Sequence, residues 1–568
     1  MGRESRTTNH ESRICRGLDW LARHANPDGG WGDTTLSLSN ISTTTLCWAA
    51  FGVVSGADEK YRAVVTGAEK WLTERASGIT PDKLAPAIIA RYGKDRTFSA
   101  PILTMCALSG RLGSGADAWK DVLPLPFELA AVPPRFFAAL RLPVVSYALP
   151  ALIAIGQARH HHLPSRNPFT RLVRNGARSR TLDVLKRIQP SSGGFLEATP
   201  LTSFATMSLA GSGQGDHPVT KKGVEFLVAS QRDDGSWPID TNLATWVTTL
   251  SVNALATGDE LPLEREERAR IRDWLLKQQY GEIHPYTNAA PGGWAWTDLP
   301  GGVPDADDTA GALLALRHLS AVTDRRCRDN ATHGPVIAGV TWLLHLQNSD
   351  GGIPTFCRGW TNLPFDRSAP DLTAHALRAW NAWLPELPSA LQRRVRRATE
   401  RGIRYLAETQ HEDGAWLPLW FGNQHAPDDV NPVYGTARVL QALERLSPET
   451  ASSVGPMMFR GGYFLARTQR DDGSWGGGKN GPASIEETAL AVEALAGLLP
   501  EEDAQKLTSL REQAMKGTNW LIEKVETDEW RQPSPIGFYF AKLWYYEQLY
   551  PQILTVGALT RADEVMSV

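Results

Sequence analysis

The chain has 568 residues, 42% hydrophobic and 21% charged, which excludes a disordered or fibrous polymer and predicts two to four domains at about 100–200 residues each. Lys and Arg number 59 against 62 Asp and Glu, a formal net charge of −3, so there is no global basic field for nucleic acid. Five scattered cysteines, never spaced as CxxC, argue against a disulfide framework or zinc ribbon and favour a reducing compartment.

In chain order, Met1 to Arg13 is polar and lacks the apolar stretch of a signal peptide, and Arg6 breaks the myristoylation pattern. GLDWLARHANPDGGW follows, ending at Trp31. Leu123 to Leu163 is rich in proline and apolar residues and ends in Arg159-His160-His161-His162. Its longest apolar run, Leu142 to Gly156, has 15 residues with two prolines, short of the roughly 20 that cross a bilayer.

A phrase then recurs: a helical pattern ending in Gln, a polar turn, Gly and usually Trp. It reads KKGVEFLVASQRDDGSW to Trp237, ERGIRYLAETQHEDGAW to Trp416 and FRGGYFLARTQRDDGSW to Trp475. IRDWLLKQQY carries an insertion before PGGW at Trp294; AGVTWLLHLQNSDGGI ends at Ile353 without its Trp; KGTNWLIEK begins a half-copy at Lys516. The Gln347–Gln410 spacing is 63 residues and Gln410–Gln469 is 59. A second phrase, small and Thr-rich, follows each turn at Thr245, Asp307, Asp371, Tyr434 and Ile485. Apolar residues at i, i+3 and i+4 predict two helices per unit, broken by the Asp-Gly turn. Such hairpins stack as a solenoid or close as an α/α barrel. Twenty Trp against 16 Phe and 12 Tyr fits a repeated aromatic staple, with Trp31, Trp237, Trp416 and Trp475 as packing elements.

This phrase resembles the QW motif of the triterpene cyclases, over Gly17 to about Leu559. Pro304-Asp305-Ala306-Asp307-Asp308-Thr309-Ala310 resembles the DxDDTA motif of class II terpene cyclases, the squalene–hopene cyclase family in particular. The resemblance implies an all-α fold of two α/α barrels with the active cavity between them and a monotopic membrane contact. We expect residues 1–37 to pack on the C-terminal barrel, 38–244 to form the inserted barrel, and 245–568 to form the C-terminal barrel.

An acidic N-cap would explain Asp305 alone, but not three carboxylates within four residues, which raise one another's proton affinity. Protonating an alkene needs an acid that keeps its proton at rest and whose conjugate base is stabilised, as burial and a partner achieve. By resemblance Asp307 is the proton donor, Asp305 and Asp308 flank it, and His375, in Thr373-Ala374-His375, is its partner. A carbocation cascade also needs aromatic faces, at about 0.5–2 kcal/mol each. The resemblance assigns this to Trp246, Trp296, Trp420, Tyr434 and Tyr147, and to the final aromatic stretch Pro533 to Pro551, including Tyr539. Val247 departs from the Asp usual after the pocket Trp, and FGNQHAPDDVNPV between Trp420 and Tyr434 is an insertion.

The expected activity is polycyclisation of squalene or a similar linear polyprene to a hopene-like product, with no metal or organic cofactor. The runner-up is a cyclase of a prenyl diphosphate, which needs a basic pocket; no Lys/Arg cluster stands beside the motif in sequence. The DDxxD metal motif of ionisation-type synthases is missing. A protein prenyltransferase would need a zinc-binding Cys near Asp305, and a glycan-active barrel would need separated carboxylates. A non-catalytic scaffold would tolerate loss of Asp307. The apolar, basic-rimmed run 123–163 suits docking from the cytoplasmic side. The expected partners are a polyprene and a membrane surface, not nucleic acid, and a homodimer is left open.

Overall fold

The computed structural model describes residues 2–566 except 94–96, 134–135, 138–147, 259–260, 286, 321–329, 359–363, 447, 479–480, 500–507 and 539–541. The protein is all-α, 64% helical. In the C-terminal half, the inner helices Ala244–Leu255, Ala306–Ser320, Pro370–Trp383, Pro432–Leu443, Ile485–Gly497 and Tyr550–Met566 pack each on the next, and the last returns to the first. The ring is therefore closed, an α/α barrel. Outer helices such as Ser389–Thr409 are amphipathic, burying Leu391, Val395, Ala398 and Leu406, while Ile485–Gly497 is buried nearly all round. That difference in pattern sorts helices into outer and inner layers.

Each repeat is held by one set of bonds. The Gln side chain ending an outer helix donates to a turn carbonyl four residues on and to a carbonyl of the next outer helix. Gln347 reaches Gly351 and Ala398, Gln410 reaches Gly414 and Met457, and Gln469 reaches Gly473 and Gln513. The turn glycine lies three residues further along the same neighbour. Gly414 has φ +92° and faces the Arg460 carbonyl, so a Cβ there would be strained and would collide with backbone. The Trp416 and Trp475 indoles donate to Leu406 and Leu465 at 2.8 Å. Their backbone N–H groups donate to Thr436 and Thr488 Oγ1, at the start of the inner helix. Ile353 keeps that bond, to Thr373, although its Trp is gone. Trp237 differs: its indole is bonded to Leu227, but the ring is 38% exposed over Gly17.

Sequence reading missed one copy of this turn, Gln189 to Phe195, where Phe replaces Trp. Gln189 donates to Gly193 and Val219, and Phe195 N–H to Thr202. The N-terminal helix Gly2–Arg23 takes the place of the next outer helix after Pro218–Ser230: Gln231 donates to the Arg13 carbonyl and Gly235 abuts Arg16. It thus completes the N-terminal layer, whereas the expectation seated residues 1–37 on the C-terminal barrel. The loop behind it reaches that barrel, where Asp33 accepts from Trp544 N–H at 2.9 Å and Leu38 N–H donates to Gln424. The apolar run after Leu142 enters the buried helix Leu149–His162, whose Ile153, Ala154, Ile155 and Ala158 have no exposure. No described helix is long and apolar enough to cross a membrane.

Candidate active site

The Thr that accepts from the turn N–H fixes the first turn of each inner helix, and the residue two positions before it faces the barrel interior. In successive repeats these residues are Asp307, Asp371, Tyr434 and Glu486. The first three line one small cavity, together with Trp246, His375, Arg378 and Arg438.

Asp305 caps the helix Ala306–Ser320, its Oδ1 accepting from Asp308 N–H at 2.8 Å. Both carboxyls are buried. Burial pushes Asp305 up to about 7, and burial with the Asp305 charge pushes Asp308 well above the ordinary carboxylate range. Two such groups in contact hold a proton between them, as like charges in a low-dielectric site require. Asp307 points the other way, into the cavity, and its Oδ1 lies 2.5 Å from His375 Nδ1, with both side chains about one-fifth exposed. The structure thus brings together the four residues singled out for proton chemistry.

Trp246 also lines the cavity, its indole donating to Tyr550 Oη at 2.7 Å. The Tyr434 ring stacks on Phe421 at 4.5 Å. Trp420 and Trp296 do not line it. Trp420 donates to Thr355 Oγ1 and meets Phe538 edge-on at 4.6 Å, so it belongs to an aromatic group beside the three-stranded sheet of Phe421–Gly422, Ile536–Phe538 and Leu543–Tyr545. Trp296 packs between the apolar cores of the two halves, and its carbonyl accepts from Thr245 and Trp246 N–H. Tyr147 and Tyr539 lie outside the described residues.

Sequence reading missed three cavity residues. Asp371 stands one turn before His375, a spacing that places both on one helix face. Its buried Oδ1 has no hydrogen-bond partner, and burial with the Asp307 charge pushes it up to about 7. Arg378 and Arg438, far from the motif in sequence, are brought to it by the closing of the ring. Burial pushes the Arg378 guanidinium down. Burial also opposes the charge on Arg438, but Tyr434, Asp307 and Glu493 more than offset this and raise it. Arg438 lies 5.4 Å from the Tyr434 ring centroid. Among the described residues no group of three or more His, Cys, Asp or Glu is placed to hold a metal ion.

Residues 243–564 match the family profile described as the squalene-hopene cyclase C-terminal domain. The squalene–hopene cyclase of Alicyclobacillus acidocaldarius is 28% identical over 454 residues, covering 72% of this chain and 65% of that protein. A copalyl diphosphate synthase of Streptomyces cyslabdanicus is 28% identical over 390 residues, covering 67% of this chain and 60% of the other. The aligned stretches span between 24% and 65% of the first curated relatives' own length. Among solved structures, ent-copalyl diphosphate synthase from Streptomyces platensis superposes with a TM-score of 0.52 at 20% identity, over 97% of this chain and 91% of that one, a likeness of fold.

Proposed function

We infer that this chain, which belongs to the squalene–hopene cyclase C-terminal domain family and so to the class II terpene cyclases, polycyclises squalene or a similar uncharged linear polyprene by protonating its terminal alkene. The observation that carries the reading is Asp307, aimed into the barrel cavity and bonded on one oxygen by His375 at 2.5 Å. The His375 N–H polarises Oδ1, and Oδ2 delivers the proton. The alkene π pair forms the new C–H bond, and the tertiary cation draws in the next alkene. The conjugate base left on Asp307 is stabilised by His375, and Asp305 and Asp308 hold the helix start that aims it. Trp246 and Tyr434 present aromatic faces to the cation, and the closed barrel excludes water until the last step.

A second reading, cyclisation of a prenyl diphosphate to a bicyclic diphosphate, is favoured by one feature. Arg91 and Lys542, from opposite halves of the molecule, converge on Asp429 at 3.6 and 2.5 Å, two cations on one carboxylate. Arg378 and Arg438 do not serve it, because they stand at the acid, where the far end of such a substrate must lie.

The substrate reaches the enzyme from a lipid surface. Leu129 and Phe136, within the run 123–163, are more than half exposed, and Phe169 and Leu172 on the helix Pro168–Ile188 are 72% and 70% exposed. Arg166, Arg171 and Arg180 flank that face, an arrangement suited to shallow docking on an anionic leaflet. The test of substrate is gas chromatography–mass spectrometry of detergent-solubilised enzyme with squalene, farnesyl diphosphate and geranylgeranyl diphosphate, the diphosphates dephosphorylated before extraction. A C30 isomer or hydrate, lost in Asp307→Asn, is expected. A cyclic alcohol from a diphosphate alone moves the enzyme to the second reading.

A further inference from the structure

The register that turns Asp307, Asp371 and Tyr434 to the barrel interior also turns Glu486 inward, two residues before Thr488. It is 2% exposed. It lines a second small cavity, with Phe421, Ile536 and Tyr550 around it. This cavity shares Trp246, Tyr434 and Arg438 with the one that holds Asp307. An acid therefore stands on one side of an aromatic partition and a carboxyl on the other. Nothing in the proton-initiation chemistry uses the second one.

Glu486 is bonded firmly through one of its two oxygens. Its Oε1 accepts from Ser534 N–H at 2.8 Å, while Oε2 has only a long bond of 3.3 Å from Ser484 Oγ. The adjacent Glu487 is the structural member of the pair: Asn423 and Asn431 both donate to its Oε1, at 3.1 and 2.9 Å, and Ser484 serves its other oxygen. The charged and titratable groups facing Glu486 are Glu487 on its own helix, and Arg438, Tyr434 and Tyr550 on the helices packed beside it. Burial and the Glu487 charge push Glu486 up to about 8, so its carboxylate is a stronger proton acceptor than an exposed one. With that value the group is mostly protonated at neutral pH, and it accepts a proton only from its ionised form, which Arg438 beside it and a cation entering the cavity favour.

We propose that Glu486 is the base that ends the cyclisation, a role that rests on the cyclase reading above. The C–H bond on a carbon next to the final cationic centre breaks; its electron pair becomes the product C=C bond, and its proton passes to Glu486 Oε2. With one proton given by Asp307 and one taken by Glu486, the overall reaction is an isomerisation. A base on the far side of Trp246 and Tyr434 selects which carbon is deprotonated, and so which alkene forms.

The test is the product profile of Glu486→Gln and Glu486→Asp on whichever substrate the wild type converts. Glu486→Gln keeps size and hydrogen bonding but removes the basic carboxylate. It is expected to consume substrate more slowly and to replace the wild-type alkene with alkene isomers or an alcohol from water capture, at tenfold or greater change in product ratio. Glu486→Asp is expected to restore part of the wild-type alkene. An unchanged profile in Glu486→Gln overturns the proposal, as does loss of all turnover in both variants with the wild-type melting temperature. Silence of the wild type on every substrate strikes the cyclase reading instead.

Discussion

Asp307 and Asp371 present two carboxyls to one cavity, and Asp307 has a hydrogen-bonding side chain, His375, where Asp371 Oδ1 has none. That asymmetry supports the proposed roles of donor and bystander. Asp307→Asn keeps the shape and the His375 contact but has no acidic proton. It is expected to lower turnover by about 10²–10⁴-fold, the usual worth of a general acid, with little change in melting temperature. Equal turnover would remove Asp307 from the mechanism. Asp371 predicts a pH effect on stability. Its folded pKa, about 7, exceeds the ordinary 3.8, so the folded state binds its proton more tightly than the unfolded chain. Its stabilising contribution is complete below about pH 4 and is lost as pH rises through about 7. Asp305 at about 7 and Glu486 at about 8 act in the same direction. Melting temperature should therefore lose a contribution from these groups between about pH 4 and pH 8, and Asp371→Asn should flatten that loss. A variant as steep as the wild type would contradict the assignment.

At the scale of the hairpin, one Gln, one Gly and one Thr carry the contacts between neighbouring units, and their cost on removal is calculable. Gln410→Ala strands the Gly414 and Met457 carbonyls. Losing those bonds should cost about 1–3 kcal/mol, a drop of several degrees in thermal unfolding. Trp416→Phe should cost more than Trp237→Phe, because Trp416 is fully buried and Trp237 is 38% exposed; equal costs would mean that the indole bond, common to both, outweighs burial. This layer was legible in the sequence because it repeats: Gln, Asp-Gly and Trp recur at fixed spacing, and each recurrence meets the same neighbour. Gln189 escaped because its aromatic is Phe195. The acid group was legible because Asp305, Asp307 and Asp308 are close in sequence. Arg378, Arg438 and Glu486 were not, since they come from three different helices and meet only when the ring closes. Trp296 and Trp420 show the same limit from the other side. Both are aromatic residues beside catalytic phrases, and both pack away from the cavity, because a turn after the repeat sets their direction and spacing does not.

Over the whole molecule, the exposed apolar face lies on the N-terminal half, while Asp307, the proposed proton donor, lies inside the C-terminal ring. Docking and chemistry are therefore separable by mutation. Phe169 and Leu172 sit three residues apart on one helix, with Arg166 and Arg171 beside them. Each large side chain that passes from water into the acyl boundary contributes about 1.5–3 kcal/mol when fully buried, and each nearby arginine about 1 kcal/mol on an anionic leaflet. A Phe169→Ser/Leu172→Ser variant should therefore bind phosphatidylserine-containing vesicles at least 10-fold more weakly in a flotation assay. Arg166→Gln/Arg171→Gln should weaken binding to anionic vesicles and leave binding to neutral ones little changed, with a shallower salt dependence. Neither pair touches the cavity, so both variants should turn over detergent-dispersed substrate at the wild-type rate and lose activity only when the substrate is supplied in vesicles. Full vesicle binding by both variants would place the docking face elsewhere. Lost activity in detergent would mean that the helix supports the barrel and does not serve the membrane.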